Sequence, residues 1–214
     1  MTEFRVYQLK KSTGKKVILK SDYFEVDGQW LRPENLDGNT VYITAIGGGS
    51  CVNATAAYNG SVYAGDSGEF VIEKPIDISS VAEGENVAVT VGAGGNNLTL
   101  NGSSSSFGSF ITVAGGGATE KGNKGGYSYT VDQIISDGIG AAPFRAFSYN
   151  GGNKAPGGAG GLLGFGDCIV ADPSHFCGPT GTGHGAGAGG LYGTNNENPA
   201  RPGIVVVSYY VEVA

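Results

Sequence analysis

Between Gly151 and Gly190 the chain reads GGNKAPGGAGGLLGFGDCIVADPSHFCGPTGTGHGAGAGG, with glycine too frequent for a helix or an ordinary side-chain core. Glycine buries no side chain and loses the most backbone freedom on folding, so a folded run of this kind must gain from close approach of backbones. Two regular solutions exist. Extended helices of three residues per turn can pack side by side, as at the collagen axis, or flat strands can present a glycine face. A disordered linker is the third alternative.

Composition decides among them in part. Forty of the 214 residues are glycine, whereas prolines number eight and no strict G-X-Y period occurs, which argues against collagen. Eleven tyrosines, nine phenylalanines and several Val/Ile runs supply the apolar area that disordered chains lack, so a folded chain is expected. The net charge is −6; residues 1–40 hold seven Lys/Arg against six Asp/Glu and the remainder six against thirteen. An acidic body disfavours nucleic acid and anionic membranes, both of which need basic surface. The start, MTEFRVYQLKK, lacks an apolar signal segment, and no stretch is long enough to span a bilayer as a helix, so a soluble product of a cytoplasm is expected.

Residues 1–40 stand apart by composition, with few glycines and the single tryptophan, Trp30. EFRVYQL (3–9) and KKVILKS (15–21) flank Ser-Thr-Gly, and YFEVDGQWLRP (23–33) surrounds Asp27-Gly28, so two hairpins are expected. From Thr40 the pattern becomes strand, glycine cluster, polar or aromatic insert, strand. Alternating apolar runs enter glycine clusters at 43–49, 87–95 and 110–117. Pro75 confines GEFVIEKPIDIS (68–79) to an edge or a bend. GIVVVSYYVEVA (203–214) is a strong strand expected to pair beside 41–46 or 109–113. The only window with helical character is VDQIISDG (131–138). Gly181, Gly183, Gly185, Gly187 and Gly189 alternate with period two, which favours a strand with a glycine face at that point.

No enzyme motif survives inspection. H-E-x-x-H, G-x-S-x-G and C-x-x-C are absent, and the glycine runs lack the Lys-Ser/Thr of a phosphate loop. Cys168, His175, Cys177 and His184 are a chemically suitable zinc set, but their spacing matches no common zinc motif. Free thiols are the default expectation, with a Cys168–Cys177 disulfide formed after release from the cell as the alternative. Asp132, Asp137, Asp167 and Asp172 are scattered over inserts and read as solvated turn residues rather than a paired glycosidase site. No enzyme activity, metal or cofactor is expected.

Aromatics concentrate in the glycine-flanked inserts, mixed with Ser, Gly and Asn, the composition that recognition loops use to gain contact area at low entropic cost. The expected binding residues are Tyr127, Tyr129, Phe144, Arg145, Phe147, Tyr149, Phe165, His175, Phe176, Tyr192, Asn195 and Asn196.

The clusters AIGGGS (45–50), VGAGGN (91–96), VAGGGA (113–118), NKGGY (123–127), APGGAGGLLG (155–164) and GPTGTGHGAGAGG (178–190), interleaved with aromatic inserts, resemble the glycine-rich adhesins of tailed bacteriophages, above all those capping T-even-like long tail fibres. The resemblance covers about residues 40–210. It implies packed polyglycine II helices, with the inserts as distal loops that bind an outer-membrane protein or other surface receptor. The resulting expectation is an all-β chain: a small N-terminal β module (1–39) for attachment to other tail fibre proteins, then a glycine-rich β/polyglycine II layered sandwich with long distal loops (40–214). The expected function is a virion receptor-binding protein recognising a host protein or polysaccharide, without nucleic-acid binding or membrane insertion. A structural, oligomeric fibre or baseplate component is the alternative.

Overall fold

The computed structural model describes residues 16–51, 61–62, 65–96, 99, 101–117, 139–140, 149–150, 183–187 and 199–213. Their regular structure is entirely β: β1 (Lys16–Phe24), β2 (Gly28–Leu31), β3 (Leu36–Ile46), β4 (Ser61–Val62), β5 (Phe70–Asp77), β6 (Asn86–Thr90), β7 (Ser105–Phe107), β8 (Ile111–Val113), β9 (Ile139–Gly140), β10 (Tyr149–Asn150) and β11 (Ile204–Val213). One antiparallel sheet has the order β1-β11-β3-β5-β9 and a second the order β2-β6-β7-β8, while β4 and β10 form a separate pair. Among the described residues no helix is long and apolar enough to cross a membrane.

The two-residue period of the apolar side chains sets which face of each strand is buried. Val41, Ile43 and Ala45 of β3 pair with Tyr209, Val207 and Val205 of β11, and all six are buried. Val87 and Val89 of β6, Phe107 and Val113 face them from the other sheet in the same cluster. β11 therefore pairs with 41–46, one of the two partners its sequence leaves open, rather than 109–113, and on its other side takes β1 through nine residue pairs from Lys16↔Val213 to Phe24↔Val205. Pro75 also behaves as expected. Among the described residues β9 bonds β5 only at Phe70 and Val71, and beyond them the β5 register slips against β3, with Glu73 at φ 48°. That slip is a β-bulge, which lets a strand absorb an extra residue at a sheet edge.

Trp30 is 1% exposed and ties the sheets together. Its ring meets Phe107 edge-on at 5.6 Å within its own sheet and Tyr209 at 5.5 Å across the core. Such aromatic pairs contribute roughly 0.5–1.5 kcal/mol beyond the area they bury. Asp22 on β1 supplies the polar end of this group. Its Oδ2 accepts from Trp30 Nε1 (3.1 Å) and from the Tyr209 hydroxyl (2.8 Å), so three strands share one carboxylate.

Two expectations change here. The Asp27-Gly28 turn does not close a hairpin, because β1 pairs with β11 and β2 with β6. The chain crosses between sheets instead, for Trp30 can be buried only from the second sheet, and the Asp27 carboxylate accepts the Val91 amide at 2.8 Å. Residues 16–39 also do not form a module apart. The boundary at 39/40 lies inside β3, and Trp30 sits in the common core. The hairpin expected over 3–21 falls largely outside the described residues.

Antiparallel register gives the sandwich two distinct ends. Lys16, Leu36, Asp77, Asn86, Phe107, Ile111 and Val213 lie at one, here termed the far end; Phe24, Ile46, Phe70, Thr90, Ser105, Val113 and Ile204 lie at the other. At the far end the 9%-exposed Arg32 secures the turn between β5 and β6: Nη1 donates to the Ile78 and Val81 carbonyls and Nη2 to Asn39 Oδ1.

Burial, then the hydrogen bond and negative charge of Asp22, push the Tyr209 phenol far above its ordinary pKa. A folded-state pKa above the unfolded value means the contribution is complete below the unfolded pKa and is lost as pH rises past it. Stability should therefore fall above about pH 10, and Tyr209→Phe should flatten that fall. At neutral pH the same variant should cost about 1–3 kcal/mol for the lost bond to a charged acceptor. Urea denaturation followed by Trp30 fluorescence across this pH range measures both.

Candidate functional site at the glycine end

Six strands run directly into the segments that build the end opposite Lys16. Segments 47–51, 92–96 and 114–117 continue from β3, β6 and β8; segments 65–69, 101–104 and 199–203 lead into β5, β7 and β11. Segment 183–187 joins them. The strand-to-glycine junctions legible at 43–49, 87–95 and 110–117 are thus the points where both sheets pass into one bundle.

Segment 47–50 is its axis. The Gly47 amide donates to Glu69 (2.9 Å), Gly48 to Ser103 (2.9 Å), Gly49 to Arg201 (3.0 Å) and Ser50 to Asp66 (2.8 Å), all backbone carbonyls. The first and fourth bonds reach the same neighbour, so donors turn with period three, not the period two of a strand. Returning bonds come from Gly116 to the Gly48 carbonyl and from Gly95 to that of Gly49, each 2.8 Å. The Ala186 carbonyl lies against the Gly49 Cα.

The surrounding segments also bond to one another and close a ring. Ser103 donates to Ala93, Gly102 to Gly116, Glu69 to Ala114, Gly68 to Gly185, Arg201 to Ala186 and Gly203 to Gly92, at 2.8–3.0 Å. Read in order, 92–96, 101–103, 114–117, 65–69, 183–187 and 199–203 encircle the axis and return to 92–96. Backbone polar groups that would be costly if buried unpaired thereby find partners without side chains.

This spacing explains the glycines. A Cβ at Gly47, Gly48, Gly49, Gly68, Gly92, Gly102, Gly115, Gly187 or Gly203 would sit well under 3.0 Å from a neighbouring backbone carbonyl. Ser105, fully buried, is the hinge between sandwich and bundle: its Oγ donates to the Ile46 carbonyl (2.7 Å) and accepts the Gly92 amide (2.9 Å). Ser50 does similar work deeper in, its Oγ accepting the Asp66 amide at 2.8 Å. The period-two expectation at 181–189 does not hold for 183–187, where Gly183 (φ 84°) and Gly185 (φ 67°) are left-handed and His184 alone is bridged.

The chain leaves the bundle at Cys51, Asn96, Gly117 and Gly187 and enters it again at Gly65, Asn101, Gly183 and Pro199. The expected binding residues lie between such fixed points. Tyr127 and Tyr129 fall between Gly117 and β9; Phe144, Arg145 and Phe147 between β9 and β10; Phe165, His175 and Phe176 between β10 and Gly183; Tyr192, Asn195 and Asn196 between Gly187 and Pro199. Those eleven lie outside the described residues, as do Cys168, Cys177 and the 131–138 window. Tyr149 is described by its backbone alone, paired with Val62. β9 pairs with β5 at Phe70 and Val71, so the segment before Phe144 returns to the level where bundle meets sandwich.

Sequence reasoning overlooked three bundle members, 65–69, 101–104 and 199–203, because each carries few glycines. The available signal was an isolated glycine (Gly102, Gly203) or a Gly-x-x-Gly pair (Gly65, Gly68) among small or polar residues shortly before a strand. Among the described residues no group of three or more His, Cys, Asp or Glu could hold a metal ion. What the bundle offers chemically is a rigid root for the segments that leave it.

Gly48→Ala or Gly102→Ala should destabilise the protein by roughly 1–3 kcal/mol or more, since overpacking here meets backbone rather than a movable side chain. Gly117→Ala, whose Cβ would meet nothing within 4 Å, should stay within about 0.5 kcal/mol. Thermal melts of the three variants test the contrast. No protein-family model matches this chain, and no curated protein matches its sequence significantly.

Proposed function

We propose that this chain is a receptor-binding adhesin of a bacteriophage tail fibre, with the glycine bundle as a polyglycine II platform and the inserts as distal recognition loops. One observation carries the reading. Both sheets feed a single backbone-bonded bundle, and the stretches that carry the aromatic inserts leave it at Gly117 and Gly187 and re-enter it at Gly183 and Pro199, at the end away from Lys16 and Val213. A platform of this kind owes its rigidity to backbone hydrogen bonds, so insert sequences can change without disturbing a side-chain core. Roots held in place reduce the ordering cost of binding.

In this reading Tyr127, Tyr129, Phe144, Arg145, Phe147, Tyr149, Phe165, His175, Phe176, Tyr192, Asn195 and Asn196 supply the contact surface for a host protein or polysaccharide. The far end faces the rest of the fibre. The three-per-turn donor pattern of Gly47 to Ser50 and the closed ring around it support the polyglycine II description.

Purified protein, added to host cells before phage, should occupy the receptor and reduce phage adsorption. A variant with Tyr127, Phe144, Phe147, Phe176 and Tyr192 all changed to alanine should melt like the parent yet fail to compete. Unimpeded adsorption in the presence of well-folded parent protein would overturn the reading and favour a purely structural fibre component.

A further inference from the structure

We propose that the fold is a force-bearing strut, strong along the axis from far end to glycine end and weak to peeling at the far end. The mechanical property follows from register; its biological use rests on the adhesin reading, in which tension between fibre and host would run along this axis.

β1 enters the first sheet at Lys16 and runs toward the bundle, paired with β11 through nine consecutive residues without a register break. Tension pulling Lys16 away from the bundle acts along β1, so its interstrand hydrogen bonds are loaded side by side and must fail together. Ser21 and Ser208 add a side-chain bond between the same strands (2.8 Å), and the Tyr209 hydroxyl adds another to Asp22 (2.8 Å). β1 then passes through the turn at 25–27 into β2, which pairs with β6 and takes the load only after the β1–β11 ladder has failed.

The bundle continues this arrangement. Its hydrogen bonds run from segment to segment, across the direction in which the chains extend; each rim segment is held by neighbours on both sides, and 65–69, 92–96, 101–104, 114–117 and 199–203 are bonded to the axis as well. No single segment can slide until several lateral bonds break at once. The absence of Cβ atoms brings the backbones close enough to interlock.

Load between Lys16 and Val213 has a different effect. These residues are direct register partners at one end of the β1–β11 ladder. Separating them opens the ladder one pair at a time, so each step meets only the next few bonds. The same ladder is thus strong in shear and weak in peeling.

Single-molecule force spectroscopy on the full chain tests this. Clickable non-natural residues serve as handles at Lys16 and Gly117 for axial load, and at Lys16 and Val213 for peeling. Lys16 and Val213 are exposed, and Gly117 has open space where a side chain would go. Unaltered Trp30 fluorescence verifies that each labelled protein is folded. The expected result is an axial unfolding force several-fold above the peeling force at equal loading rate. Equal forces, or a lower axial force, would overturn the proposal. The outcome is separable from the adhesin reading: strong axial resistance in a protein that does not block adsorption leaves the strut without that use, and equal forces in a protein that does block adsorption remove the strut alone.

Discussion

The amides of Gly47, Gly48, Gly49 and Ser50 each donate to a neighbouring backbone, and the rest of the architecture depends on that fact. An extended chain with lateral bonds in three directions needs neighbours all round it, and those neighbours can come close enough only if no Cβ intervenes. Glycine is therefore required at the contact points and where the backbone turns left-handed, as at Gly183. Ala93, Ala114, Ala186 and Ala200 occupy the bundle too, at positions where their carbonyls rather than their Cα atoms face a partner segment. The conformational entropy lost in ordering so much glycine is offset by hydrogen bonds that would otherwise be made to water, and by excluding water from the closed ring.

The sandwich and the bundle stabilise each other through shared strands. Side-chain burial holds the sheets in register around Trp30, Phe107 and Tyr209, and that register delivers six chain segments to the bundle at the correct spacing. Ser105 marks the change from one regime to the other, bridging β3 and β6 at the level where side-chain packing ends. β11 contributes twice, as a central strand of the first sheet and, through 199–203, as a rim segment. Because β11 follows the long inserts in sequence, neither part can be complete without residues distant from β1 and β3, and slow folding is expected of so non-local a topology.

Much of the sandwich was legible from alternation alone. The buried faces of Val87 and Val89 and of Val41 and Ile43 follow from period two, which left β11 to pair with either 41–46 or 109–113. The Asp27-Gly28 turn misled because local turn chemistry specifies a reversal but not which strands then pair. Only the burial of Trp30 between sheets, a tertiary property, sends β2 away from β1. The supposed 1–39 module misled similarly: a change of composition at residue 40 records where glycine begins to be needed, not where a core ends. Bundle members at 65–69 and 199–203 were invisible because one or two well-placed glycines suffice when the neighbour supplies the others. The expected binding residues rest on composition and on their position between glycine clusters, and the described structure fixes the roots of the segments that carry them.

Hydrogen exchange resolved by residue tests the central claim most directly. If the glycine bundle is an integral part of the folded core, the amides of Gly47, Gly48 and Gly49 should exchange as slowly as those of Val41 and Val207, through global unfolding alone. Exchange of these glycines at the rate of exposed turn residues such as Ser80 and Glu83, with Val41 and Val207 still protected, would contradict it.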